Sequence, residues 1–256
     1  MSEPTNPDRS VTLEICVESV AGAAAAIAGG CDQIEVCAAL AMGGLTPSAG
    51  LVAAVLALAR PAGVPVHAMV RPRPGGFHYD ADDRALAAAE ARALVASGVQ
   101  GLVYGATDGG RLAIPGLADW IAALGPDRPA LTLHRAIDVV DDPVAAVDQA
   151  VALGFDHILT SGAAVRAIDG AATIAAMVAR ANGRCAVIAG AGVSPANAAT
   201  LVTRTGVTAV HGSASIPAAG VSDDRFGFGP PPRRTSEALV RELREAIDHQ
   251  SNIGHL

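Results

Sequence analysis

The sequence predicts a single-domain α/β fold, a TIM (β/α)8 barrel with all-parallel strands, on three observations. Short apolar runs of strand character alternate with alanine-rich helical stretches eight times, and strands joined by helices run parallel. The 256 residues are the usual length of one such barrel. No linker or shift of composition divides the chain. An open doubly wound sheet is the alternative, and eight units in this length favour closure.

The first strand is Leu13-Glu14-Ile15-Cys16, which places Glu14 and Cys16 on one face and Leu13 and Ile15 on the other. In a barrel both faces are covered, so Glu14 and Cys16 turn inward near the mouth. Ser19 then caps a helix that stops at Gly29-Gly30. Gln33 to Cys37 is the second strand, with Glu35 and Cys37 repeating the phase of Glu14 and Cys16. Ser48 caps a helix to Arg60, and Val64 to Val70 is the third strand. The loop Arg71-Pro72-Arg73-Pro74-Gly75-Gly76 is broken by its prolines and glycines, and a long helix follows from Asp80 to Ser97. Strand four spans Gly101 to Gly105, and Pro115 to Leu124 is helical. Strand five, Ala130 to His134, runs into Arg135 and Asp138, and Pro143 opens a helix that ends at Gly154. His157 to Thr160 is strand six, before a helix over Asp169 to Ala181. Ala186 to Ala189 is strand seven, and Ser194-Pro195 starts its helix. Strand eight is Thr208 to His211; after a Gly/Pro-rich segment, Ser236 caps the last helix, Glu237 to His249. Residues 1–10 read as a flexible extension, 11–250 as the barrel and 251–256 as a flexible tail.

Composition narrows the function. The net charge of −7 repels phosphate backbones, which argues against nucleic-acid binding. No apolar run is long enough to span a bilayer, and residues 1–10 lack a secretory pattern. Four cysteines without a Cys-x-x-Cys pair do not read as a disulfide framework, so a cytoplasmic location is expected. All 18 basic residues are arginines. Schiff-base and pyridoxal-phosphate chemistry, which need a lysine amine, are therefore excluded.

The active face of such a barrel is formed by the C-terminal strand ends. Glu14 and Glu35 share a phase on neighbouring strands and are candidate acid/base residues, with His134 as a third. Arg71, Arg73 and Arg135 could clamp a small anionic ligand, with Ser161, Gly192, Gly212 and Ser213 at the strand ends that commonly bind phosphate. Cys16 and Cys37, one level nearer the mouth, suit a soft metal such as Cu(I); zinc would need further ligands, from His134 or His211. A structural ion-pair layer and two inert buried thiols are the plainer alternatives.

Eight segments resemble the CutC family of copper homeostasis proteins. They are residues 13–16 (Leu-Glu-Ile-Cys), 34–37 (Ile-Glu-Val-Cys), 43–48 (Gly-Gly-Leu-Thr-Pro-Ser), 71–73 (Arg-Pro-Arg), 134–138 (His-Arg-Ala-Ile-Asp), 159–162 (Leu-Thr-Ser-Gly), 190–193 (Gly-Ala-Gly-Val) and the His211 strand. They span about residues 11–215. The resemblance implies a TIM barrel, a cytoplasmic homo-oligomer (a homodimer or homotetramer) and a role in copper handling. It also implies that Cys16 and Cys37 match the cysteines to which copper binding is attributed. Two departures stand out: Pro74-Gly75-Gly76-Phe77 replaces the family's Gly-Gly-Asp-Phe, and Gly212 stands where the family often has cysteine or serine. A third thiol from that strand is thus unavailable. The resulting expectation is Cu(I) binding through Cys16 and Cys37. The alternative is a lyase, isomerase or epimerase acting on a small anionic substrate, such as a phosphorylated one.

Overall fold

The computed structural model describes residues 11–218 and 233–253, with side chains to residue 249. The expected extension 1–10, most of the Gly/Pro-rich segment, and residues 254–256 of the expected tail lie outside the described residues.

Eight parallel strands close into a barrel: β1 (Thr12–Val17), β2 (Gln33–Val36), β3 (Val66–Met69), β4 (Gly101–Tyr104), β5 (Ala130–Leu133), β6 (His157–Thr160), β7 (Ala186–Gly190) and β8 (Ala209–Gly212). β1 pairs with both β2 and β8, which leaves no edge strand in the barrel. The helices alternate with them: α1 (Val20–Ala28), α2 (Ala49–Ala62), α3 (Ala81–Ser97), α4 (Ile114–Ala122), α5 (Pro143–Leu153), α6 (Ala171–Ala181), α7 (Ala198–Thr205) and α8 (Glu237–Ile253).

Local chemistry sets most of these boundaries. Ser19 and Ser48 accept from the backbone N–H groups of Gly22 and Leu51, capping α1 and α2. Asp142 caps α5 ahead of Pro143, and Gly154 ends it with a φ of 85° that an L side chain rarely adopts. α7 departs from expectation. The Ser194-Pro195 pair forms only a turn, in which Ser194 N–H donates to Asn197 Oδ1, and the helix begins at Ala198. Four further elements were not anticipated: 3-10 turns over Leu40–Met42 and Arg135–Val139 and two antiparallel ribbons, Thr107–Asp108 with Arg111–Leu112 and Ser215–Pro217 with Arg233–Thr235. α8 also continues four residues past His249.

The end of the barrel opposite the mouth is clipped by one repeated device. Asp32, Gln100 and Asp156, each just before or at the start of an even-numbered strand, accept from Leu13, Val66 and Leu131 N–H on the preceding odd strand. The buried Arg244 of α8 donates to Asp32 and to the Val11 carbonyl, fastening the last helix to the first two strands.

Outward-facing strand residues such as Leu13, Ile15, Ile34 and Leu102 form the main core with the helices. Inside the barrel the filling is uneven. Leu159, Ile188 and Ala209 fill the β6–β8 side. The β1–β3 side instead buries Glu14, Gln33, Glu35 and His67. That much polar surface in a barrel interior is tolerated only where its groups satisfy one another or a ligand.

Candidate functional site

Strand register builds the polar side. Glu14 lies opposite His211 on β8 and Gln33 on β2, and hydrogen-bonds both. His211 Nδ1–H donates to Glu14 Oε1 at 2.6 Å, and Gln33 Nε2–H donates to Glu14 Oε2 at 2.5 Å. Gln33 Nε2 is also 3.0 Å from His67 Nδ1. Gly101 stands beside that ring because a Cβ there would lie 2.4 Å from it. The same register pairs Cys16 with Glu35. The expected levels, glutamate beside glutamate and cysteine beside cysteine, are therefore offset by two residues along the hydrogen-bond ladder. The carboxylates still converge: donor atoms of Glu14, Glu35 and His211 lie within 4.8 Å of one another.

Charge in this cluster follows from burial and pairing. Burial opposes ionisation of Glu14, which is 1% exposed, but its bond to His211, the charges of His211 and His67, and the Gln33 bond outweigh it. Its carboxyl is held at about 2. Glu35 is raised, because burial prevails over the charge of His211 and the neighbouring Glu14 adds to it. His211 is pushed well up: burial opposes its charge, and Cys16, Glu35 and Glu14 overcome that. Two nearby carboxyl groups thus differ, one ionised and one that takes up a proton more readily.

Cys16 and Cys37 line one cavity of about 330 Å³ at the mouth, together with Glu35, His211, Arg71 and His134. Glu14 lies beneath it and does not line it. Cys37 Sγ–H donates to Glu35 Oε1 at 3.0 Å. Burial, then the charge of Glu35, pushes this thiol well up. Cys31 and Cys185 are buried away from the cavity, and among the described residues no cysteine forms a disulfide.

His134, the third acid/base candidate, stands in the cavity wall. Ala136 N–H donates to its Nδ1 at 3.1 Å, so the neutral ring carries its proton on Nε2. Burial, then the charge of Arg71, lowers its pKa to about 3. A ring in that state presents an N–H donor at Nε2. That Nε2 is buried without a hydrogen-bond partner. Gly105 makes room for the ring, since a Cβ there would lie 2.6 Å from Nδ1.

The expected anion clamp is only partly assembled. Arg71, Arg135, Gly192, Gly212 and Ser213 line the cavity; Arg73 and Ser161 do not. Arg73 is turned away because its Nε pairs with Asp83 at 2.7 Å and Nη2 donates to the His78 carbonyl. Ser161 is tied up by Asp138 and the Ala164 carbonyl. Thr160 points through the wall toward Met177 of α6. Arg71, 6% exposed, spends its Nη groups on the carbonyls of Met42, Gly44 and Gly75, and among the described residues pairs with no carboxylate. Arg135 donates to Asp138 and Ser161. Phe77, which sequence reasoning missed, packs between Arg71 and His134, with ring-to-ring and ring-to-guanidinium distances of 4.7 and 5.2 Å. Gln33 was missed as well, although its inward phase two residues before Glu35 is a legible signal.

Residues 11–216 match the model of the CutC family. The chain belongs to the CutC family. A CutC family protein of Caulobacter vibrioides is 44% identical over 244 residues, covering 93% of this chain and 97% of its own. One from Sinorhizobium medicae is 41% identical over 245 residues, covering 93% and 96%. The crystal structure of a CutC from Streptococcus agalactiae, named for copper homeostasis, superposes with a TM-score of 0.75 at 28% identity, covering 79% of this chain and 98% of that one. More distant barrels show the fold alone: a KDPGal structure (TM-score 0.63, 14% identity, 98% of this chain and 100% of that one) and a thiamine phosphate pyrophosphorylase of Pyrococcus furiosus (0.59, 14%, 96% and 99%). Each of the eight segments that resemble that family contributes at least one residue to the wall of one cavity, at the strand ends of one barrel.

Proposed function

We propose that this protein takes up Cu(I) at the barrel mouth through Cys16 and Cys37, as a cytoplasmic copper-handling protein that works as a homodimer or homotetramer. The observation that carries the copper reading is that Cys16 and Cys37 both line one cavity. Thiolates are the soft donors that favour Cu(I) over harder ions. Glu35 suits the accompanying proton: when Cu(I) binds Cys37 as thiolate, the proton leaves along the existing hydrogen bond to the Glu35 carboxylate. Family membership and the copper-homeostasis name of the Streptococcus agalactiae protein support the same reading. Among the described residues no helix is long and apolar enough to cross a membrane. In an anaerobic competition titration against a Cu(I) chelator, the protein should bind Cu(I), and Cys16→Ser with Cys37→Ser should lose at least ~100-fold in affinity with unchanged circular dichroism. Equal binding by the double variant would overturn the assignment.

One observation favours a second reading, an enzyme acting on a small anionic substrate. The buried Nε2–H of His134 has no protein acceptor, and it stands in the same cavity wall as the Arg71 guanidinium, which no described carboxylate neutralises. A substrate carboxylate or phosphate would satisfy both, with Glu35 positioned to move a proton. In a thermal-shift screen with inorganic phosphate and small dicarboxylates, a stabilising anion should lose most of its effect in His134→Phe. A shift unaltered by that change would remove the reading.

A further inference from the structure

We infer a second metal centre below the thiols, in which Glu14, Glu35 and His211 hold a divalent first-row cation. It goes beyond the copper reading and does not rest on it. The three donors come from adjacent strands, β1, β2 and β8, and their ligand atoms already lie within 4.8 Å of one another. Metal ligation at ~2.0–2.2 Å needs the 2.6 Å Glu14–His211 side of that triangle to open, while the 3.5 Å Glu35–His211 side is already about the right width.

The surroundings are those of oriented ligands. Each carboxylate has one oxygen held by a neighbour and the other turned toward the shared point. Gln33 Nε2–H holds Glu14 Oε2, leaving Oε1 facing His211 Nδ1 at 2.6 Å. Cys37 Sγ–H holds Glu35 Oε1, leaving Oε2 at 3.5 Å from the same nitrogen. That Oε2 is buried and has no hydrogen-bond partner, on a residue 2% exposed. Outer donors of this kind fix ligand orientation at protein metal sites.

Charge and hardness select the ion. Two carboxylates and a neutral imidazole make a set of charge −2, which a divalent cation neutralises in a buried setting; Cu(I) would leave it negative. Oxygen and imidazole donors suit Zn2+ or Mn2+, whereas the thiols above suit a soft ion. In the metal-free arrangement the proton on His211 Nδ1 occupies the cation's place, so binding releases it: His211–H+ plus M2+ gives M–His211 plus H+. Glu35 and His211 line the cavity, so the ion has an entry path and open coordination positions facing it.

The test uses Co2+ and Zn2+ on the full chain. Wild-type protein should bind one Co2+ with visible d–d absorption and no thiolate-to-cobalt band in the near ultraviolet. Zn2+ should displace it. Glu35→Gln should weaken Zn2+ binding by ~100-fold or more; Gln33→Leu, which removes an outer donor, by ~10-fold. Cys37→Ser keeps a hydroxyl donor for Glu35 and should bind Zn2+ within ~3-fold of wild type, while Cu(I) binding falls. A thiolate charge-transfer band in the wild-type Co2+ spectrum, or no Co2+ uptake at all, would overturn the inference without reference to any variant. Unchanged Zn2+ affinity in folded Glu35→Gln would overturn it as well.

Discussion

Replacing Asp138 with alanine is expected to cost about 4 kcal/mol of stability, among the largest single-site losses in the chain. This carboxylate sits in the 3-10 turn after β5 and gathers the end of β6. It accepts from Thr160 Oγ1 at 2.5 Å, from Ser161 N–H at 3.0 and 3.1 Å, from Ser161 Oγ at 2.9 Å, from Ala163 N–H at 3.2 Å and from Arg135 Nε at 2.8 Å. Alanine leaves a buried hydroxyl and a buried backbone N–H without their carboxylate acceptor and removes the ion-pair partner of Arg135 Nε, and each orphaned buried group costs about 1–3 kcal/mol. Asn keeps the shape and one acceptor, so Asp138→Asn should lose roughly half as much. Urea unfolding at neutral pH measures both. A loss below about 1 kcal/mol for the alanine variant would mean that water replaces the carboxylate and that the network does not hold β6.

The second large effect is the pH dependence of the metal-free protein. The folded carboxyl of Glu14 lies at about 2, below its ordinary 4.5, so its stabilisation is fully present above pH 4.5 and disappears as pH falls toward 2. The size is on the order of 3 kcal/mol. His211 acts at the other end. Its folded value is raised above 6.5, so its contribution is complete below pH 6.5 and fades as pH rises through the folded value. Glu35 has the opposite sign to Glu14: its raised carboxyl subtracts stability as pH climbs above 4.5. Glu14→Gln should therefore be less stable than wild type between pH 4.5 and 6.5, and should lose the steep decline below pH 4.5. Urea midpoints collected from pH 2 to 9 give both curves. Identical acid limbs would show that the Glu14–His211 pair carries none of the dependence.

Much of this was legible in the chain. Alternation in Leu-Glu-Ile-Cys and Ile-Glu-Val-Cys placed Glu14, Cys16, Glu35 and Cys37 inside, and Ser19, Ser48 and Gly154 set helix ends where they were expected. These are local matters of side-chain period and of backbone N–H groups that need an acceptor nearby. What the pattern left open was which partner each polar side chain takes. Arg73, two residues from Arg71, leaves the cavity because Asp83 on α3 captures it. Ser161 is claimed by Asp138, 23 residues earlier. The tautomer of His134 is set by the Ala136 N–H that its Nδ1 accepts. Phe77 entered the site unannounced because the broken loop that carries it has no period to read.

The sequence by itself determined the barrel, its strand order and the inward set of carboxylates and thiols, because strand period and helical crossovers leave few other arrangements. Only the tertiary structure decided how that set is wired. It set the register that places Glu14 between His211 and Gln33, assigned Arg71 to carbonyls and Arg135 to Asp138, and left Glu35 Oε2 and His134 Nε2 without hydrogen-bond partners. The reason is range. A strand pattern shows which way a side chain points, whereas its protonation and its partner depend on groups up to 197 residues away along the chain.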